Sequence, residues 1–196
     1  QADLITAFNV FGHVNDPPAF LRAAALALKP GGRVVIETPW VVPVIRGGTY
    51  DTFYHEHLNT WGLSPMIPVG HEAGLVVTGV EIVEVHGGSL RVTFQADGTQ
   101  PSNLYDVLLA EDFALREMGR EAFRYKAMMA QDALATWCQG QRHEENLVVG
   151  YGASARGMVL LNTIPDLGMT LASIVDDTKE KQGLLTAGYG VAIEKP

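Results

Sequence analysis

"ADLITAFNVFGHVNDPPAFLRAAALALKPGGRVVIETPW", residues 2–40, decides how the chain is read. Two short apolar runs flank an Ala- and Leu-rich stretch. Asp16 is a good N-cap before it, Pro17 suits the first helical position, Lys29 is expected in the last turn, and "PGG" ends the helix. The pattern is strand, helix, strand: a βαβ unit. The continuous apolar run Val34 to Ile36 suits a parallel sheet covered on both faces. Ligands of such sheets gather at the carboxyl ends of the strands, which puts "FNVFGH" and "ETPW" at the functional edge. The fold class is α/β.

Working outward, "GLVVTGVEIVEVHGGSLRVTFQADG" alternates Val, Ile and Leu positions around a Gly-Gly break and reads as antiparallel strands. From "PSN" to about Arg142, residues Leu104, Val107, Leu108, Leu115, Met118 and Leu134 recur at helical spacing among charges. One long amphipathic connecting helix is expected there, its methionines and aromatics serving as core. "NLVVGYGASARGMVLLNTIPDLGMTLASIVDDT" then repeats the βαβ pattern from Asn146, its second strand ending at Asp176 and Asp177, and another strand begins near "GYGVAIEKP". The expected organisation is an α/β portion over 1–100, a connecting helix over 101–145 and a small Rossmann-like module over 146–196.

A length of 196 residues with 47% hydrophobic content supports a real core. A net charge of −8 with no basic stripe argues against nucleic acid as a partner. Apolar runs such as Val41 to Ile45 fall far short of the roughly 20 residues that span a bilayer, so no membrane association and a cytoplasmic location are expected. Cys138 is the only cysteine, which leaves no intrachain disulfide and no cysteine-rich zinc cluster. The chain opens at Gln1 rather than methionine and is inside an apolar run by Asp3, so it is expected to have lost its beginning.

"YDTFYHEHLNTW", residues 50–61, crowds two histidines, a glutamate and two tyrosines together. Two imidazoles, a carboxylate and a phenol can form a proton relay with one member poised near neutrality. Two other readings stand beside it. His55 and His57 would share a face on a strand and could begin a metal site, but His71 and His86 lie in differently patterned segments and no cluster at ligand spacing completes it. The histidines could also be loop surface. Asn9 and His13 follow the first strand, either to satisfy its turn or to serve the sheet edge. In "GYGASARG", Gly150 and Gly152 suit a tight turn whose helix N-terminus faces a phosphate. Gly157 is two places late for a dinucleotide fingerprint, and Asp176, a plausible ribose partner, lies beyond the usual interval of about 20 residues. NAD(P) binding, another nucleotide and a purely structural turn all remain open.

Residues 3–39 resemble the second half of a class I S-adenosylmethionine-dependent methyltransferase domain. "FYHEHL", "HGGSLRV", "GYGASARGMVLLN" and "VDDTKEKQG", in that order, resemble the sugar C-methyltransferases that methylate carbon 3 of a nucleoside-diphosphate 4-keto-6-deoxysugar, over nearly the whole chain. The resemblance implies an enolate route with His57 as base, supported by Glu56 and Tyr54, and with Asn9 and His13 touching the sugar or its enolate. It also implies that Gly150, Gly152 and Arg156 face the diphosphate of a thymidine-linked sugar, with Arg91 as a weaker candidate for that task. S-adenosylmethionine is the implied cofactor. Most of its site, and a zinc-binding segment, would precede Gln1. The rival functions are an NAD(P)-dependent oxidoreductase and a non-catalytic nucleotide-binding fragment.

Overall fold

The computed structural model describes residues 1–196, Met118 by its backbone alone, and divides them into two compact units. The first comprises Gln1–Gly48 and His55–Phe123. It is built on a four-stranded sheet of β1 (Ala2–Phe8), β2 (Leu28–Pro39), β3 (Val76–Val83) and β4 (Ser89–Gln95), in the order β1-β2-β4-β3. β1 and β2 are parallel, joined through α1 (Pro17–Ala27), while β4 inserts antiparallel between β2 and β3. The βαβ reading and the antiparallel hairpin around Gly87 and Gly88 both appear in the structure.

α1 begins where its sequence dictates, with the Asp16 carboxylate accepting the Ala19 amide at 2.8 Å. It ends earlier than expected. Ala27 is its last residue, and Lys29 lies in β2, where it pairs with Asp3 at 2.7 Å instead of serving the helix terminus. The strand wins because Pro30 cannot donate the amide that a further helical turn requires.

Two helices were not legible in the sequence. α2 (Val41–Gly47) takes up the apolar run after "ETPW", and α3 (Leu63–Glu72) forms despite Pro65 and Pro68. Packing outweighs the prolines: Leu63 and Met66 are fully buried in the core with Phe11, Leu21, Val34, Ile36, Leu90 and Phe94.

The expected single connecting helix is interrupted. α4 (Leu104–Phe113) passes through a π-helical turn, Ala114–Met118, before α5 (Gly119–His143) resumes. Gly119 has φ of 54°, a left-handed conformation that glycine tolerates and that breaks the helical path. The Met118 position in the helical periodicity lies outside the described side chains.

The second unit comprises Thr49–Tyr54 and Arg124–Pro196. Its parallel sheet has the order β5 (Val148–Tyr151), β6 (Leu171–Val175), β7 (Ile193–Glu194). α6 (Ala155–Thr163) and the short α7 (Leu167–Thr170) connect the first two strands. Its core gathers Ala153, Leu161, Ile174, Val191 and Ile193.

Candidate functional site

In the first unit the site grows from the carboxyl end of β1. Asn9 continues the ladder by donating its amide to the Glu37 carbonyl at 2.8 Å, then turns the chain with φ of 55°. Asparagine is among the few side-chain-bearing residues that adopt this conformation readily. A single 3-10 turn, Phe11–His13, follows, anchored by buried Phe11 against Trp61 at 4.7 Å between ring centroids.

That turn is fastened to the histidine-rich segment by several hydrogen bonds. His13 Nδ1 lies 2.7 Å from the Glu56 carbonyl oxygen. The Asn59 amide donates to the Gly12 carbonyl at 3.1 Å, and its side chain donates to the Val14 carbonyl at 3.3 Å. Trp61 Nε1 donates to the Phe11 carbonyl at 3.2 Å. The result brings the His13 and His57 rings edge to face, 4.8 Å apart and inclined by 60°. His13 is exposed and His57 half-buried, so proton traffic with a bound molecule is open to both.

Residues 53–60 form turns and irregular backbone, not a strand, so the alternation that would have put His55 and His57 on one face does not apply. His55 Nε2 instead stands 3.8 Å from the Glu56 carboxylate, both side chains largely exposed. Among the described residues no cluster of three or more His, Cys, Asp or Glu side chains is placed to hold a metal. Asn9, His13, Glu56 and His57 thus belong to one unit, whereas Tyr54 belongs to the other.

Arg91 is the clearest departure from the implied site. Phe8, Glu37, Arg91 and Glu81 form one row across the four strands. Arg91 donates from Nε and Nη2 to the buried Glu37 carboxylate at 3.0 and 2.7 Å and from Nη1 to Glu81 at 3.1 Å, while its guanidinium stacks 5.7 Å from the Phe8 ring. The Glu37 hydrogen bond, with the nearby negative charges, raises the Arg91 pKa further above its ordinary value. A fork held by two carboxylates is a structural strut, so the phosphate role for Arg91 is withdrawn.

In the second unit the glycine-rich turn also sorts its residues differently. Gly150 is not in the turn. It lies within β5 opposite Ile174, where an added Cβ would come within 3.1 Å of that side chain. Gly152 makes the turn, with φ of 89° and its amide on the Val175 carbonyl at 2.7 Å. Ser154, missed in the sequence, caps α6 by accepting the Gly157 amide at 3.0 Å. A serine two residues after the turn glycine was the available signal.

Asp176 does not wait for a ribose. One carboxylate oxygen accepts the Thr178 amide at 2.8 Å, and the other accepts the Ala153 amide at 2.7 Å and the Lys181 ammonium at 3.2 Å. Hydrogen bonds from Thr178, joined by those from Ala153 and Lys181, hold its carboxyl well below the usual carboxylate range. The turn is therefore locked by its own protein, and the dinucleotide reading loses the acidic residue it needs. Arg156, in the first turn of α6, donates from Nε to Asp51 at 2.7 Å, with Nη2 at 2.6 Å from the same oxygen. Nothing local announced that pairing, because the two residues are 105 positions apart.

Residues 84–196, more than half of the chain, match the family described as C-methyltransferase C-terminal domain. The chain belongs to this family. Residues 1–80 of the C-methyltransferase-family chain match a second family, described as a methyltransferase domain. Its whole length aligns with C-methyltransferase NovU of Streptomyces niveus at 26% identity over 206 residues, covering 48% of that protein. The chain thus spans about half the length of that relative. Among solved structures it is similar to an O-methyltransferase from neocarzinostatin biosynthesis, solved with S-adenosyl-L-homocysteine and 1,4-dihydroxy-2-naphthoic acid, at 20% identity and a TM-score of 0.39 over 50% of this chain and 30% of that one. It is similar also to TnmH, at 26% identity and a TM-score of 0.40 over 50% and 31% of the respective chains. No helix among the described residues is long and apolar enough to cross a membrane.

Proposed function

We propose that the protein transfers a methyl group from S-adenosylmethionine to carbon 3 of a nucleoside-diphosphate 4-keto-6-deoxysugar through an enolate, in the cytoplasm. The observation that carries this reading is the pair of imidazoles, His13 and His57, held 4.8 Å apart at the carboxyl end of β1 in a chain of the C-methyltransferase family.

Carbon is a poor nucleophile until the proton beside the ketone is removed. His57, half-buried beside a second imidazole, takes the role of base. Asn9 and His13, on the turn after β1, supply donors for the enolate oxygen, which gains charge as the proton leaves. Glu56 fastens His13 through its backbone carbonyl and places its carboxylate by His55. The supporting role of Tyr54, a residue of the second unit, rests on the family resemblance alone.

The methyl donor supplies an electrophilic methyl group on a sulfonium. Phe8 and Val10, 48% and 47% exposed on either side of Asn9, fit one side of such a molecule: apolar surface for its adenosyl part and an amide between. Gly152, Arg156 and the α6 N-terminus suit the diphosphate of a thymidine-linked sugar. Gly150 stands ahead of that turn, in β5 against Ile174, and takes no part in the phosphate contact.

The test is a single incubation with a thymidine-diphosphate 4-keto-6-deoxysugar, methyl-labelled S-adenosylmethionine and NADH. The reading expects label at carbon 3 and unchanged NADH. Label on oxygen, or NADH consumption without label, contradicts it.

A further inference from the structure

We propose that Asp51 is the positioning residue for Arg156, presetting its guanidinium for a diphosphate. The inference rests on the nucleotide reading of the second unit and adds to it the residue that makes Arg156 selective.

The geometry is specific. Arg156 presents its side edge to Asp51, with Nε at 2.7 Å and Nη2 at 2.6 Å from the same Oδ2 atom. A guanidinium has five N–H donors in a fixed plane, so a carboxylate on the side edge consumes two and leaves the end fork, formed by Nη1 and the remaining Nη2 hydrogen. That fork matches two phosphate oxygens. The burial is uneven: the Asp51 side chain is 15% exposed and that of Arg156 50% exposed, so the anchor is sheltered while the guanidinium stays open to solvent. A sheltered anchor beside an exposed cation is the arrangement expected for orienting the cation toward a ligand, because it removes rotamer freedom before binding.

The anchor is itself held. Asp51 sits in the 3-10 turn Tyr50–Thr52, where the Tyr50 hydroxyl lies 3.4 Å from Thr163 Oγ1 on α6 and Thr52 Oγ1 donates to the Thr49 carbonyl at 2.9 Å. Arg156 rides on the first turn of the same helix, whose N-terminus Ser154 caps. Asp51 and Arg156 are therefore fixed by the two ends of one helix.

The experiment is calorimetric titration of the chain with thymidine 5′-diphosphate and, in parallel, thymidine 5′-monophosphate. Arg156→Ala should weaken the diphosphate by about tenfold or more. Asp51→Asn should weaken it by roughly three- to tenfold, with a smaller effect on the monophosphate, and should add nothing in the Arg156→Ala background. A merely structural Asp51 would weaken both ligands alike and add its loss to that of Arg156→Ala, which overturns the inference. So does diphosphate binding by Asp51→Asn at or above the parent affinity. Unchanged binding by Arg156→Ala removes the nucleotide reading itself, and this inference with it. If Asp51→Asn does not fold, Asp51→Glu keeps the charge but shifts it by one methylene; diphosphate-selective loss in that variant supports the role and parent-like binding contradicts it.

Discussion

His13 Nδ1 faces the backbone carbonyl oxygen of Glu56 at 2.7 Å. A carbonyl can only accept, so Nδ1 carries the hydrogen and Nε2 is the nitrogen left for a substrate: it donates to an enolate oxygen from the imidazolium and accepts from the neutral ring. The contact thus fixes both where the histidine segment runs and which nitrogen of His13 is available to a substrate.

Two substitutions separate these tasks. In His13→Asn the amide nitrogen falls near the former Nδ1 and can still donate to Glu56, while nothing replaces Nε2. His13→Gln does the reverse. The first should melt close to the parent temperature yet slow carbon 3 proton exchange by about tenfold or more. The second should lower the melting temperature by loosening the tie between residues 11–14 and 56–61. Thermal melts and exchange rates on the same samples check both.

Glu111 is expected to govern the stability of the first unit. It is 2% exposed, and its carboxylate accepts Trp40 Nε1 at 2.7 Å and the Leu63 and Ser64 amides at 2.5 and 3.0 Å. It therefore caps α3 from a distance, where the N-cap residue Gly62 has no side chain to do so. Glu111→Ala strands three donors and should cost about 3 kcal/mol or more. Glu111→Gln keeps one acceptor oxygen and should cost less. Denaturant unfolding followed by tryptophan fluorescence, with Trp40 and Trp61 both in this core, reads the difference.

The second unit should carry an acid-sensitive contribution from Asp176. Its folded pKa is depressed by Thr178 first and then by Ala153 and Lys181. A depressed carboxyl stabilises the folded state fully above its unfolded pKa of about 4, and the contribution disappears as pH falls below that toward the folded value. Asp176→Asn should accordingly lower the melting temperature at pH 7, and the gap between variant and parent should narrow as the pH drops below about 4. A gap that stays constant down to pH 2 would show that ionisation of this carboxyl is not involved.

Legibility in the sequence followed the range of the interactions. Asp16, Pro17 and the apolar runs act within a few residues, and they announced the βαβ order and the start of α1, though not the point where α1 gives way to β2. α3 hid behind Pro65 and Pro68, because what holds it is burial of Leu63 and Met66 and a cap from Glu111, 48 residues beyond Leu63. The break before α5 depended on one backbone angle at Gly119, which helical periodicity does not register. At the site, histidines crowded within three positions stood out, but the partner that orients His13 is a backbone carbonyl, and no pattern of side chains encodes that. Arg156 and, more weakly, Arg91 were both candidate phosphate ligands in the sequence. Cross-strand register, which puts Arg91 between Glu37 and Glu81, is what removes Arg91 from that role.

The central claim is that His57 removes the proton at carbon 3. Its most direct measurement is exchange of that proton with deuterated water while the 4-keto-6-deoxysugar nucleotide is bound, comparing the parent with His57→Asn. Asparagine preserves some shape and hydrogen bonding but not the base, and general-base contributions are typically on the order of 10²- to 10⁴-fold. Exchange should slow by about that factor with nucleotide affinity nearly unchanged, because the proton transfer is felt in the transition state. Exchange by His57→Asn at the parent rate would contradict the account.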